Sequence, residues 1–129
     1  VHKNKKRGRK MGKKIFGYEL IMDLHGCDLE VMTSRKKLQE YVDKLCPLID
    51  MVKYGKLMLP YFGTQKPHTK GYSLAQFIET SSITAHFSEH WRISYINIFS
   101  CKTFNPKVAL KFTKEFFKAK HVRSKFFVR

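Results

Sequence analysis

Only two segments of this 129-residue chain carry apolar residues at helical spacing; its other apolar runs are strand-like. In Ser34–Ile49, the residues Leu38, Tyr41, Val42, Leu45 and Leu48–Ile49 follow a 3.6-residue repeat, and Ser34 is placed to cap the first turn. The second segment opens at Asn105-Pro106 and turns Val108, Leu110, Phe112 and Phe116–Phe117 toward a buried side. Around these helices lie runs rich in β-branched, aromatic and aliphatic residues: Ile15–Leu24, Met51–Leu59, Ser73–Ala85, Trp91–Cys101 and Val122–Val128. The fourth run alternates through Ile93, Tyr95 and Asn97. His25–Asp28 breaks the first run, Pro60–Gly71 has loop composition, and His86–His90 reads as a turn. The order β-α-β-β-β-α-β predicts an α+β two-layer sandwich, a mainly antiparallel sheet with helices on one face.

The length suits one domain, and a 43% apolar fraction suffices for a core. No apolar stretch approaches the roughly 20 residues that span a bilayer. The basic start has no apolar segment behind it and does not read as a secretory signal. No membrane association is expected, and a cytoplasmic location is. The formal charge of +16 raises the possibility of nucleic-acid binding. Residues 1–14 hold eight Lys/Arg and no acid, so the remainder carries +16 − 8 = +8. That segment reads as a basic, disordered N-terminal extension preceding a single domain at 15–129. Met11-Gly-Lys-Lys-Ile resembles a translation start, so the segment is either an upstream extension or a basic arm. Lysines elsewhere are scattered, as at Lys36, Lys53, Lys111, Lys114 and Lys118, so nucleic acid is not expected as a partner.

The three cysteines, Cys27, Cys46 and Cys101, form no C-x-x-C pair, and neither they nor the six His supply paired metal ligands. No metal and no disulfide framework are expected, and Cys27 and Cys46 read as small buried hydrophobes. By themselves, Thr80-Ser81-Ser82 and a nearby His86 are a weak nucleophile signal, because such residues are common in strands and turns.

Their spacing is more specific. Gly71-Tyr72-Ser73, Ser81, His86 and Ile96-Asn97-Ile98-Phe99-Ser100-Cys101 place Ser73, Ser81, His86 and Cys101 at successive intervals of eight, five and fifteen. Met22-Asp23-Leu24-His25-Gly26-Cys27-Asp28 ends the first strand. In these features the chain resembles the short bacterial and archaeal S-adenosylmethionine decarboxylases over about residues 14–129. The resemblance implies a proenzyme in which the Ser81 hydroxyl attacks the Thr80 carbonyl. It divides the chain into β (1–80) and α (81–129) parts and leaves a pyruvoyl cofactor at position 81. A serine hydroxyl needs a positioned base for such an attack. The resemblance gives His86 the proton transfers of processing and Ser73 a supporting role. It also implies a Schiff base between the pyruvoyl group and substrate, an electron sink for decarboxylation, with Cys101 as proton donor. An ordinary thiol is mostly protonated at neutral pH and can still give up its proton. The implied partners are the substrate S-adenosylmethionine, on the way to spermidine, and a second copy of the chain, since both protomers of the short forms build each active site.

The sequence departs from the family pattern at several positions. Thr80 stands where Glu usually precedes the self-cleaving serine, and Ser82 where many bacterial members have His. His90 occupies the offset of a ribose-binding Glu, with Glu89 one residue early. A one-residue shift in a regular strand reverses the face a side chain points to. Pro67, beside His68, replaces an adenine-stacking Phe, which leaves Phe62 or Tyr61 to supply the aromatic ring. Glu89, His90 and Phe62 are therefore the candidate substrate-binding residues. Two alternatives keep the family but change the task. One decarboxylates ornithine or arginine, using Glu89, Glu79 or Asp28 for the distal cation. The other never processes itself and binds a partner decarboxylase.

Overall fold

The computed structural model describes residues 14–129, so the basic extension lies outside the described residues apart from Lys14, as does Met11. The elements are β1 (Tyr18–His25), α1 (Leu29–Met32), α2 (Arg35–Leu48), β2 (Lys53–Met58), β3 (Tyr61–Phe62), β4 (Gly71–Ile78), β5 (Ser81–Ser88), β6 (Ile93–Ser100), α3 (Pro106–Phe117) and β7 (His121–Val128). A 3-10 turn spans Pro67–Thr69. The strands pair antiparallel in the order β2-β4-β5-β6-β1-β7, with β3 beside the start of β4.

One face of this sheet is covered. Leu20, Met22 and Leu24 of β1, Ile96 and Ile98 of β6, Ile83 and Phe87 of β5, and Leu74 and Ile78 of β4 are buried with residues of α2 and α3. Strand alternation turns the intervening residues to the opposite face, among them Ser73, His86, Tyr95, Asn97 and Asp23. The two longer helices, α2 and α3, are capped by the residues their chemistry favours. Ser34 Oγ accepts from the Lys37 amide at 3.1 Å, and Asn105 Oδ1 accepts from the Lys107 amide at 2.9 Å. Tyr41 and Thr113 hydroxyls meet at 2.8 Å between α2 and α3, and full burial drives the Tyr41 phenol far above its ordinary range.

Four expectations need correction. Ser73–Ala85 is not one run, because the chain reverses at Glu79-Thr80 between β4 and β5. No Gly, Pro or Asn marks that turn; Thr80 makes it by taking a φ of 60°. His86 is not in a turn but inside β5, and the reversal into β6 is at 89–92. Pro60–Gly71 contains β3 and the 3-10 turn. On α3 Phe117 is buried as expected and Leu110, Phe112 and Phe116 pack half-buried against the core, but the other fully buried residues are Ala109 and Thr113, whose small side chains let the helix sit close on the sheet.

Candidate active site

The first cluster forms where β4, β5 and β6 end together. Ile78 pairs with Ser81, leaving a loop of only Glu79 and Thr80, and Ser81 pairs in turn with Ser100. That register brings Cys101, the residue after β6, alongside Ser81. Ser81 Oγ donates to the Thr80 carbonyl at 2.5 Å and accepts from the Cys101 amide at 3.0 Å. Thr80 Oγ1 donates to the Glu79 carbonyl at 2.5 Å and also lies against Cys101 Sγ. A β-branched residue at positive φ is strained, at a cost on the order of 1–3 kcal/mol. The strained residue supplies the carbonyl that the Ser81 hydroxyl touches.

The second cluster lies toward the other end of the same hairpin. Ser73 and His86 are cross-strand partners, and Ser73 Oγ lies 2.7 Å from His86 Nδ1. His86 Nε2 lies 2.8 Å from the Thr69 carbonyl, which can only accept. The proton is therefore assigned to Nε2, and Nδ1 accepts from Ser73. Gly71 permits this arrangement: it has a φ of 153°, and a Cβ there would stand 1.9 Å from the Phe87 carbonyl oxygen. The Phe62 ring lies 6.2 Å from the His86 ring and is 53% exposed.

Other candidates fall at varying distances from these clusters. Glu89 accepts from the Tyr61 hydroxyl at 3.1 Å, and partial desolvation followed by that carboxylate pushes the Tyr61 phenol up. His90 is exposed in the turn and, with Glu89, Pro67, Lys70 and Leu29, lines a shallow cavity. His68 stacks on Trp91 at 4.7 Å. Asp28 caps α1 through the Glu30 amide and pairs with Lys118 at 3.5 Å. Glu79 is exposed in the Ser81 turn. Cys27 and Cys46 are buried, and burial pushes the Cys46 thiol up to about 11.

Ser81 is thus brought together with Thr80 and Cys101, and Ser73 with His86 and Phe62, but the two groups do not meet within one chain. Ser81 and His86 are five residues apart on one strand, which separates them by about 16 Å and turns them to opposite faces. Two participants carried no sequence signal: the Thr69 carbonyl and the left-handed Thr80. A backbone oxygen has no residue identity to read, and Thr is not a residue expected at positive φ.

Fold and site together define a two-layer α+β protein with a serine positioned on its own backbone at a strained hairpin turn. The chain belongs to the S-adenosylmethionine decarboxylase family, a family of carboxy-lyases, whose model matches residues 18–129. It is 32% identical over 103 residues to the S-adenosylmethionine decarboxylase proenzyme of Clostridium botulinum strain Hall, covering 79% of this chain and 84% of that one. The proenzyme of the Loch Maree strain is 30% identical over the same shares. The crystal structure of the adenosylmethionine decarboxylase from Aquifex aeolicus superposes with a TM-score of 0.73 at 14% identity, covering 90% of this chain and 92% of that one. That likeness is one of fold.

Proposed function

We propose that this chain is a self-processing S-adenosylmethionine decarboxylase that acts as a cytoplasmic homodimer in spermidine synthesis and is cut between Thr80 and Ser81. The observation that carries the cleavage site is the Ser81 hydroxyl 2.5 Å from the carbonyl oxygen of a left-handed Thr80. Attack forms a bond from Ser81 Oγ to the Thr80 carbonyl carbon and breaks the Thr80–Ser81 C–N bond. The hydroxyl proton passes to the freed amine, giving an ester. Loss of the Ser81 α-proton with cleavage of its Cβ–Oγ bond then leaves a Thr80 carboxylate and dehydroalanine at 81. Water displaces ammonia from that residue to give the pyruvoyl group.

The residues present fit that group, since position 81 lies beside the Cys101 amide and thiol on an exposed rim. Once formed, the pyruvoyl group supplies an electron sink adjacent to the substrate's α-carbon. Cys101 holds a proton at Sγ beside position 81, for return to that carbon after CO₂ leaves. Within the chain, the proton acceptor His86 is remote from Ser81. Ser73 and His86 lie on the sheet face without helices, which also carries exposed Phe77 and Tyr54. A second copy packed at the end of that face where Phe77 and Tyr54 adjoin the Thr80 turn would bring its own Ser73 and His86 to the rim that carries the first copy's Ser81. The homodimer is part of the proposal for this reason.

The side chains favour the nucleoside substrate over a basic amino acid. Phe62 is exposed beside His86 and can stack on a base, whereas Glu89 is engaged by Tyr61, Asp28 by its helix cap and Lys118, and Glu79 projects into solvent from the turn. Intact mass of the purified protein, with CO₂ release from S-adenosylmethionine, ornithine and arginine, tests this. Two fragments meeting at Thr80/Ser81, and CO₂ from S-adenosylmethionine alone, are expected. A chain that stays whole and is unchanged by Ser81→Ala would overturn the processing proposal and favour a non-processing paralogue. Release from ornithine or arginine instead would keep the processing and overturn the substrate.

A further inference from the structure

Thr80 stands on the carbonyl side of the bond to be cut and departs from the residue usual in the family. It takes a φ of 60° in a two-residue loop with strands paired on both sides. A side chain branched at Cβ disfavours that conformation more than most, and Gly would adopt it freely. The strands prevent Thr80 from relaxing while the chain is intact. Cutting the bond after it makes it a chain end and frees its torsions.

Its side chain makes a second connection. Thr80 Oγ1 donates to the Glu79 carbonyl, which leaves the Cys101 thiol to donate to Thr80 Oγ1. The amide of the same cysteine donates to Ser81 Oγ. Thr80 therefore touches the attacking group through its carbonyl and Cys101 through its hydroxyl.

We infer that Thr80 is a positioning residue that acts as a strained latch. Its left-handed backbone holds the scissile carbonyl on Ser81 Oγ, and its hydroxyl ties down Cys101 until the chain is cut. This presupposes cleavage at Thr80–Ser81 as proposed above. Strain present in the intact chain and lost as the bond breaks accelerates the cut. Release of the latch then leaves Cys101 Sγ untethered beside position 81, so the thiol becomes available when the cofactor forms.

The test is a time course of cleavage during cell-free synthesis, followed by mass, together with thermal melts and thiol labelling of uncleavable chains. Thr80→Gly should cleave about tenfold more slowly than wild type, whereas Thr80→Ser, which keeps the hydroxyl, should stay within about threefold. In a Ser81→Ala background, Thr80→Gly should raise the melting temperature, because it removes strain. A residue with a merely structural role would lower it. Cys27 and Cys46 are 2% and 1% exposed, so N-ethylmaleimide labelling of the folded chain reports Cys101. In the same background, Thr80→Gly should label about tenfold faster than Thr80. Equal cleavage rates for wild type and Thr80→Gly would overturn the strain, and equal labelling rates would overturn the latch. A wild type that never cleaves would instead remove the self-cleavage on which both depend.

Discussion

The two ends of the β4–β5 hairpin are built from similar residues and differ in how settled those residues are. At the Ser73–His86 end both imidazole nitrogens have partners and the strand geometry is regular. At the Ser81 end, a β-branched residue sits in a disfavoured conformation and a hydroxyl faces the carbonyl beside it. One end is relaxed and presents a proton acceptor; the other is strained and presents a bond. Strand alternation keeps them apart within a chain, which is the contrast the proposed homodimer would bridge.

The largest effect that would sharpen this contrast is Ser81→Ala, which removes the attacking oxygen. The expected outcome by intact mass is one uncut chain, with no CO₂ released from S-adenosylmethionine; a cut chain would break the assignment of the strained end. Next comes complementation. Chains carrying Ser81→Ala or His86→Ala alone should both remain uncut. Co-expressed, they should yield fragments from the His86→Ala chain only, because its Ser81 is served by the other chain's His86. Cleavage of His86→Ala by itself would remove the relaxed end from processing.

Ser73→Ala should have a smaller effect. It deprives His86 Nδ1 of its 2.7 Å partner and leaves the Ser81 cluster of the same chain unaltered. Cleavage should slow about tenfold, equivalent to about 1.4 kcal/mol, while in a Ser81→Ala background N-ethylmaleimide labelling of Cys101 stays unchanged by Ser73→Ala. A change in labelling would show that the ends are coupled through the hairpin. The smallest effect concerns an ion pair at neither end. Lys53 bonds Asp43 and holds that carboxylate below its ordinary range. A carboxylate with a lowered folded pKa stabilises the fold at neutral pH and loses that contribution as acid protonates it. The pair is solvent-exposed, so Asp43→Asn should cost only about 0.5 kcal/mol at pH 7 by denaturant melts. Mutant and wild type should converge as the pH falls through and below the carboxylate range, with cleavage unaffected at neutral pH.

Much of the fold was legible because periodicity is a local property. The helix at Ser34–Ile49 and the Asn105 cap follow from neighbouring residues, and both appear where the spacing put them. The β4–β5 turn was not legible, since Thr80 has none of the usual turn chemistry and is forced to reverse by the strands on either side. The same error put His86 in a turn. The intervals joining Ser73, Ser81, His86 and Cys101 were readable as numbers but not as distances. The contacts across strands skip over those intervals, joining Ser73 with His86 thirteen residues on and Ser81 with Cys101 twenty residues on, and the interval of five becomes a separation.

The sequence by itself determined the two long helices, the α+β class and the family, because these depend on side-chain chemistry and spacing. Only the tertiary structure decided which of the four polar residues meet, that Thr80 is strained, and that His86 faces away from Ser81. Those outcomes depend on strand register and on a backbone torsion, both fixed by partners far along the chain.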